Sequence, residues 1–266
     1  MSSVVVREGR DSDADGFIAL IGACWAEYPG CVLDVDAEVP ELRALASHFG
    51  AKRGALWAAE AGGAIVGMVA VTPQSDGAWE VGRMYVVSAH RGGGLAHELL
   101  DRAETHARAA GASRLELWSD SRFDRAHRFY EKRGYLRSGP VKVLNDLSNT
   151  IDLGFAKPVD GIEVLNAAQA ASAERRLAEI LQACVDAGAS VSYLPPLAID
   201  VARGFYHRVA ADVAAGRKIL LAGWLDGALM GTVMLDVGTP PNQPHRAEVG
   251  SCWCIPPRDV AVWRAR

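Results

Sequence analysis

The stretch that most constrains the fold runs from Trp79 to Ala96, WEVGRMYVVSAHRGGGLA, an apolar strand followed by a glycine-rich loop and a helix start. Side chains alternate up to Val87, as in a pleated strand. The following apolar positions have helical spacing, at Leu95, Leu99, Leu100, Ala103 and Ala107. Glycine lets a backbone approach a ligand closely, and the N–H groups of a helix start point outward. The stretch therefore predicts an anion site, and a diphosphate suits it.

Spacing separates this loop from two well-known nucleotide loops. The sequence contains no G-x-x-x-x-G-K-[ST], and a G-x-G-x-x-G pattern would need glycine where His97 stands. The remaining pattern, R-x-x-G-x-[GA] from Arg91 to Ala96 after a strand reading R-M-Y-V, resembles the acyl-CoA loop of the GNAT superfamily of N-acetyltransferases. An ordinary glycine-rich strand-to-helix turn is the alternative interpretation.

The order of predicted elements strengthens the resemblance. Over residues 3–158 the patterns predict β-α-α-β-β-β-α-β-α-β-β, with the last two strands in YLRSGPVKVLND and NTIDLGFAKP. This order is similar to the GNAT topology, and AHRFYEKRGY resembles the family segment A-x-x-F-Y-E-x-x-G-F. The resemblance implies an α/β fold, with a mixed, mostly antiparallel sheet flanked by helices, and a complete domain over residues 1–158.

From Gly161 the pattern restarts. ILLAGWLDGALMGTV repeats ALWAAEAGGAIVGMV, with Gly231 matching Gly67 and Gly227 matching Gly63, and EVG recurs at residues 248–250. VDAGASVSYLPPL and NQPHRAEVG resemble tabtoxin-resistance-type acetyltransferases of the same superfamily. We expect residues 159–250 to form the N-terminal half of a second GNAT-like domain.

After Gly250 the chain reads SCWCIPPRDVAVWRAR, where we expect neither a strand nor a second acyl-CoA loop. Plausible G+C-rich codons for this stretch, read two bases later, encode QLLVHPAARRGGVAR, which aligns without a gap on RMYVVSAHRGGGLAH. We interpret residues 251–266 as an aberrant tail produced by a frameshift. One acyl-CoA site per chain follows.

A half-domain ends in an exposed sheet edge, and such edges recruit another segment or chain. We therefore expect the second half to pack on the first domain or to form a homodimer. Trp253 and Trp263 are candidate apolar side chains to cover this edge.

Composition excludes several classes of function. A net charge of −4 without a basic run argues against nucleic-acid binding. The N-terminus has no long apolar segment, and no run of about 18 apolar residues occurs, so we expect a cytoplasmic protein without membrane contact. The five cysteines show no paired C-x-x-C spacing, which predicts reduced thiols and no metal, with Cys24 and Cys184 buried in helices.

The GNAT resemblance implies direct transfer of an acetyl group from acetyl-CoA to a primary amine of a small molecule or peptide. It assigns the thioester carbonyl to backbone N–H groups of Met84, Tyr85 and Val86, which a splay between strands would expose. The predicted diphosphate ligands are backbone amides of the loop, with added charge from the first residue: Arg91, Gly92, Gly93, Gly94, Leu95 and Ala96.

A lysine-like amine is neutral only about once in a thousand at pH 7, which costs roughly 4 kcal/mol and requires a base. The resemblance implies Glu80, acting through water, as that base and Tyr130 as the proton donor to the leaving thiolate. A solvent-facing strand carboxylate and a core tyrosine are the alternatives. His90, His97 and His127 are expected on solvated surfaces.

Acceptor recognition is predicted in the segment between the first two helices, where aromatic and acidic side chains suit a cationic amine: Trp25, Glu27 and Tyr28. The competing functional hypothesis is a noncatalytic acyl-CoA-binding or interaction protein that decayed from a tandem enzyme. A third hypothesis is that the second half regulates the first.

Overall fold

A computed structural model describes residues 3–189, 192–238 and 246–255. Contacts divide the chain into two compact units. The first comprises residues up to His127 together with Gly139–Ala156, and the second comprises Arg128–Ser138 together with the residues from Lys157 onward. The domain boundary near residue 158 stays a prediction. Residues 128–138 precede that boundary, but their contacts assign them to the second unit.

Strands and helices both occur up to residue 158. They are β1 (Val5–Glu8), α1 (Ala14–Trp25), α2 (Leu45–Ala51), β2 (Ala55–Ala61), β3 (Ala64–Pro73), β4 (Ala78–Val86), α3 (Leu95–Ala109), β5 (Arg114–Asp120), α4 (Asp124–Lys132), β6 (Leu136–Arg137), β7 (Lys142–Val143) and β8 (Ile151–Pro158). In the first unit the strands run in the order β1-β2-β3-β4-β5-β8, with β7 beside β8. The predicted α/β fold with a mixed, mostly antiparallel sheet is confirmed.

One predicted strand is divided. YLRSGPVKVLND forms two strands of two residues, β6 and β7. Gly139 between them has a φ of +74°, and Pro140 has no N–H to donate to a sheet. The single strand expected there is therefore wrong.

Helices cover both faces of the first sheet. On one face α1 and α2 bury an apolar cluster that includes Phe17, Ile21, Leu42 and Met68. On the other face α3 buries the apolar stripe predicted from its spacing, and His106 contacts the rings of two tryptophans edge-on at 5.6 Å. This packing holds β4, the strand of the candidate site, between two layers.

The second unit contains a four-stranded sheet and three helices. Its elements after residue 160 are β9 (Gly161–Leu165), α5 (Ala167–Ser172), α6 (Glu174–Asp186), α7 (Ile199–Ala214), β10 (Lys218–Leu225), β11 (Ala228–Asp236) and β12 (Glu248–Cys254). The strand order is β12-β11-β10-β9, and all three pairs are antiparallel. Leu177, Ile180, Leu181 and Tyr206 form its core with the sheet.

The expectation that no strand follows Gly250 is wrong. Residues 251–254 continue β12 and pair with β11, with Cys254 opposite Gly231. Trp253 packs against the core of the second unit, because alternation in the strand turns every second side chain to that face. Trp263 lies outside the described residues.

Both sheets contain the same hairpin turn. Gly62 and Gly63, between β2 and β3, have φ values of +58° and +81°. Asp226 and Gly227, between β10 and β11, have φ values of +51° and +73°. Two successive positive φ values define the type I′ geometry that joins two strands tightly.

The strand irregularity before each turn also falls at matching residues. The register shifts next to Ala59, which lies opposite Gly67. In the second sheet it shifts next to Gly223, which lies opposite Gly231. The glycines matched in the sequence therefore occupy the same register positions.

The second sheet exposes apolar side chains on the face opposite its helices. Ile162 is 77%, Val164 59% and Val249 67% exposed. The corresponding face of the first sheet is the one that α3 covers. Within the described ranges, no helix is long and apolar enough to cross a membrane.

Alanine substitutions at Gly54 and Gly50 test the packing of the first unit. A Cβ at Gly54 would collide with the carbonyl oxygen of Val71 and lie 2.6 Å from Thr72 Cγ2, whereas a Cβ at Gly50 in α2 would meet no atom within 4 Å. We expect Gly54→Ala to lower the free energy of unfolding by about 2 kcal/mol or more. Gly50→Ala, the matched control, should raise it by about 0.5–1 kcal/mol. Urea unfolding measures both, and equal effects would contradict the packing described.

Candidate active site

Strands β4 and β5 separate at the middle of the first sheet. They run parallel and pair only at Ala78–Glu80 with Arg114–Glu116, although β4 continues to Val86. Glu80 opposite Glu116 is therefore the last pair before the fork. This is the splay that the family resemblance implied, and it exposes one edge of the second half of β4.

The end of β4 has a defined orientation at this fork. The N–H of Val87 donates to Val66 O at 3.0 Å on the β3 side. Alternation along a strand then directs the N–H and C=O of Val86 to the open side. Arg91 Nε donates to Val86 O at 2.8 Å, which agrees with that direction. A bulge at Arg83, whose φ is +51°, bends this part of the strand and changes its direction.

The glycine loop meets the requirements of an anion site. Gly92 and Gly94 have φ values of +80° and +91°, which favour glycine. A Cβ at any of the three loop glycines would meet no atom within 4 Å, so open space lies in front of the backbone. No side chain caps the start of α3 at Gly94. These features are typical of an anion site at a helix N-terminus, and the binding of a diphosphate by the loop, Leu95 and Ala96 stays a prediction.

The side chain of Arg91 is directed away from this open space. Its Nη1 and Nη2 donate to the Glu27 carboxylate at 2.6 and 2.7 Å. This pair lowers the pKa of Glu27. The role of Arg91 as a diphosphate ligand stays a prediction, and its backbone is the part that faces the loop.

Glu80 lies half-buried at the fork. Burial is the main cause that raises the pKa of Glu80, the carboxylates of Glu116 and Asp152 add to it, and Lys142 and Lys52 oppose it. A carboxyl with a raised pKa is a better proton acceptor than an exposed one when it is ionised near neutral pH. This environment differs from that of a solvent-facing strand carboxylate.

Tyr130 lies on α4 and is 6% exposed. Its ring contacts Phe129 and Tyr135 at centroid distances of 5.6 and 5.9 Å. Contacts assign Tyr130 to the second unit and Glu80 to the first, so the role of Tyr130 as a proton donor stays a prediction. His127, expected on a solvated surface, is buried: its Nε2 lies 3.0 Å from Asp120 O, and its ring contacts Phe155.

The three predicted acceptor residues have partners within the first unit. Trp25 Nε1 donates to the hydroxyl of Tyr85 at 3.1 Å. The ring of Tyr28 lies 4.6 Å from that of Phe123. Glu27 binds Arg91 with both carboxylate oxygens. Contact of these side chains with an acceptor stays a prediction.

Sequence reasoning missed two features near the fork. Arg83 pairs with Glu41 at 2.5 Å, with both side chains about three-quarters buried. The ammonium of Lys142 lies 3.3 Å from the ring centroid of Trp118. Both join residues far apart in the chain, so no local pattern signals them. Among the described residues, no group of three or more His, Cys, Asp or Glu side chains could hold a metal ion.

The first unit is an α/β domain in which a glycine loop follows the strand that separates from its parallel neighbour. Comparison with known proteins shows what part of the chain resembles. Residues 19–135 match the family model described as acetyltransferase (GNAT) family. This segment is therefore similar to GNAT acetyltransferases.

Individual relatives agree with this family. An IAA acetyltransferase from Azospirillum brasilense is 38% identical over 79 residues, which make up 29% of this chain and 52% of that protein. The chain thus spans about half the length of this curated relative. Solved structures of a GNAT-family acetyltransferase from Staphylococcus aureus Mu50 and an acetyltransferase from Streptococcus agalactiae 2603 match with TM-scores of 0.51 and 0.52, at 17% and 19% identity. Each match covers 59% of this chain and 99% of the other, and it shows the fold.

The raised pKa of Glu80 predicts a pH-dependent stability effect. An acid whose pKa is higher in the folded protein destabilises the fold once it is ionised, so stability falls as pH rises from the ordinary glutamate value to the raised one. We expect Glu80→Gln to raise the Tm at pH 8 by on the order of 2 °C and to leave it unchanged near pH 4. Glu116→Gln, which removes a carboxylate paired with Arg114, is the control. Differential scanning fluorimetry measures both variants, and a lower Tm for Glu80→Gln at pH 8 would contradict the burial argument.

Proposed function

We propose that this protein is an acyl-CoA-dependent N-acetyltransferase whose acetyl-CoA site lies in the first unit. The observation that carries the proposal is the fork between β4 and β5, with the glycine loop directly after β4. The fork offers backbone donors to a thioester carbonyl, and the loop offers backbone donors to a diphosphate. The match of residues 19–135 to the acetyltransferase (GNAT) family supports the same reaction.

Acetyl-CoA supplies the acetyl thioester that is transferred. The loop amides of Gly92 to Ala96 bind its diphosphate through the N-terminus of α3. The N–H of Val86, directed to the open side of β4, donates to the thioester carbonyl oxygen as it gains negative charge. A preorganised donor of this kind contributes about 100-fold or more to the rate.

The reaction needs proton transfers at the nitrogen and at the sulfur. Glu80 accepts one proton from the ammonium form of the acceptor through a water molecule, and the neutral nitrogen attacks the carbonyl carbon. The new C–N bond forms, and the nitrogen, which then carries a positive charge, releases its second proton to water as the C–S bond breaks. Tyr130 donates a proton to the departing sulfur, which leaves as a thiol, and the Tyr130 phenolate takes up a proton from water.

A primary amine is the acceptor class that the charges favour. The face of the sheet that carries Glu80 also carries Glu116 and Asp152, and burial raises the pKa of Asp152. On this face the primary ammonium of Lys142 already lies over Trp118, which is a favourable environment for an amine cation. The A. brasilense relative is named for IAA, and that name describes the relative.

We further propose that the second unit is the N-terminal half of a second GNAT-like domain. The equal hairpin turns, the matching bulges at Ala59 and Gly223, and the strand order support this proposal. Residues 255–266 contain no glycine. Homodimer formation stays a prediction, and the exposed apolar face of the second sheet supports it.

The proposal predicts one acetyl-CoA site per chain. Isothermal titration of the full chain with acetyl-CoA should give a stoichiometry near one. Gly94→Leu should weaken binding by about 100-fold, because the new side chain enters the space in front of the loop. Gly111→Leu is the matched control: its φ of +85° gives a similar backbone strain at the other end of α3, away from the loop. Equal loss of binding in both variants would contradict a diphosphate site at the loop.

The catalytic roles predict separate kinetic effects. In transfer assays against a panel of primary amines, Glu80→Gln should lower kcat by about 100-fold or more, and Tyr130→Phe by about 10-fold or more. Glu60→Gln, which removes a carboxylate on β2 that pairs with Arg7, should leave kcat within a few-fold. Acetyl-CoA affinity should stay unchanged in both catalytic variants.

The competing hypothesis gives a different outcome in the same assays. A noncatalytic acyl-CoA-binding protein would bind acetyl-CoA but show no transfer to any amine above the uncatalysed rate. Residual transfer that does not depend on Glu80 or Tyr130 would indicate incidental chemistry.

A further inference from the structure

The side chain of Arg91 joins three segments of the first unit. Its Nε donates to the carbonyl of Val86 at 2.8 Å, and its two terminal nitrogens donate to Glu27 at 2.6 and 2.7 Å. Nη2 also lies 3.8 Å from the thiol of Cys24. The Arg91 and Glu27 side chains are 24% and 31% exposed. All three guanidinium nitrogens are therefore committed to partners within the first unit.

These contacts limit whether the Arg91 guanidinium can bind a diphosphate. Glu27 forms a bidentate pair with Arg91, which is the strongest common geometry for this pair of groups. Arg125 lies 3.7 Å from the same carboxylate, with its own side chain 62% exposed. A diphosphate that recruited the Arg91 guanidinium would have to displace Glu27 first.

The contact with Val86 controls one peptide group at the fork. The C=O of Val86 and the N–H of Val87 belong to the same peptide. Arg91 holds the C=O, and Val66 O accepts the N–H at 3.0 Å. With both ends held, this peptide cannot rotate, and the direction in which the chain leaves β4 toward the glycine loop is set.

The second unit supplies an internal comparison. The thiol of Cys184 on α6 donates to Cys254 O at 3.1 Å, and the N–H of Ile255 donates to Met230 O at 2.9 Å. Cys24 on α1 makes the equivalent thiol contact to Val86 O at 3.6 Å. The thiol contact thus occurs in both sheets. The guanidinium is an additional donor in the unit that carries the glycine loop.

We propose that Arg91 is a positioning residue, which fixes the Val86 peptide and, through Glu27, the end of α1 against the glycine loop, while backbone amides alone bind the diphosphate. This inference rests on the proposed acetyl-CoA site. It assigns Glu27 to the support of the donor site and not to contact with the acceptor amine.

Whether Glu27→Gln raises or lowers the Kd for acetyl-CoA tests the inference. If the Arg91 charge bound the diphosphate, removal of its counter-ion would free the guanidinium and tighten acetyl-CoA binding. If Arg91 positions the peptide, the same change loosens it and weakens binding. We expect the Kd for acetyl-CoA, measured by calorimetry on the full chain, to rise about tenfold. Tighter binding would overturn the inference.

Arg91→Lys provides the second arm, because lysine keeps the charge but cannot bind Val86 O and both oxygens of Glu27 at once. We expect a rise in Kd similar to that of Glu27→Gln, and the double variant should be no weaker than either single one. Arg125→Gln is the control, since Arg125 is near Glu27 but has no contact with Val86; its Kd should be unchanged. An unchanged Kd in Arg91→Lys would overturn the inference.

Amide hydrogen exchange gives a readout that needs no acetyl-CoA. In Arg91→Gln the N–H of Val87 should exchange about tenfold faster or more, while amides in the middle of β3 keep their rates. Unchanged exchange at Val87 would overturn the inference. If the wild-type chain does not bind acetyl-CoA, the proposed function fails, and the exchange experiment still decides whether Arg91 fixes the peptide.

Discussion

The candidate site depends on the early separation of β4 from β5. Parallel pairing ends at Glu80 and Glu116, so the rest of β4 keeps hydrogen bonds on one edge only. Backbone donors at that edge are available because the sheet itself is held from both faces, by α1 and α2 on one side and by α3 on the other. A strand that is both buried and unpaired along one edge is costly unless a ligand uses it, and this makes the fork a natural place for a thioester.

The end of β4 shows how few contacts are needed to orient such an edge. One peptide, between Val86 and Val87, is held by Val66 on one side and by Arg91 on the other. The glycines that follow have positive φ values, so the chain turns at once into α3. Charge enters this arrangement as a neutralised pair, Arg91 with Glu27.

The second unit repeats several local features of the first. Its turn, bulge and thiol-to-carbonyl contact repeat those of the first unit. In the first sheet, α3 covers one face. On the corresponding face of the second sheet, Ile162, Val164 and Val249 are exposed. The comparison separates what the half-fold needs for its own stability from what the glycine loop and α3 add.

The strand, the glycine loop and the helix that follow Trp79 are predictable from the amino-acid order, because alternation, helical spacing and glycine act locally. The internal sequence repeat and the family resemblance are also evident from it. Three-dimensional contacts were needed to find the partners of Arg91 and Glu27, the burial of His127, the continuation of β12 past Gly250 and the break at Pro140. The first two depend on contacts between residues far apart in the chain, where spacing carries no signal. β12 continues because β11 offers a partner strand, and the strand breaks at Pro140 because proline has no N–H to donate. The hydrophobic pattern shows neither effect.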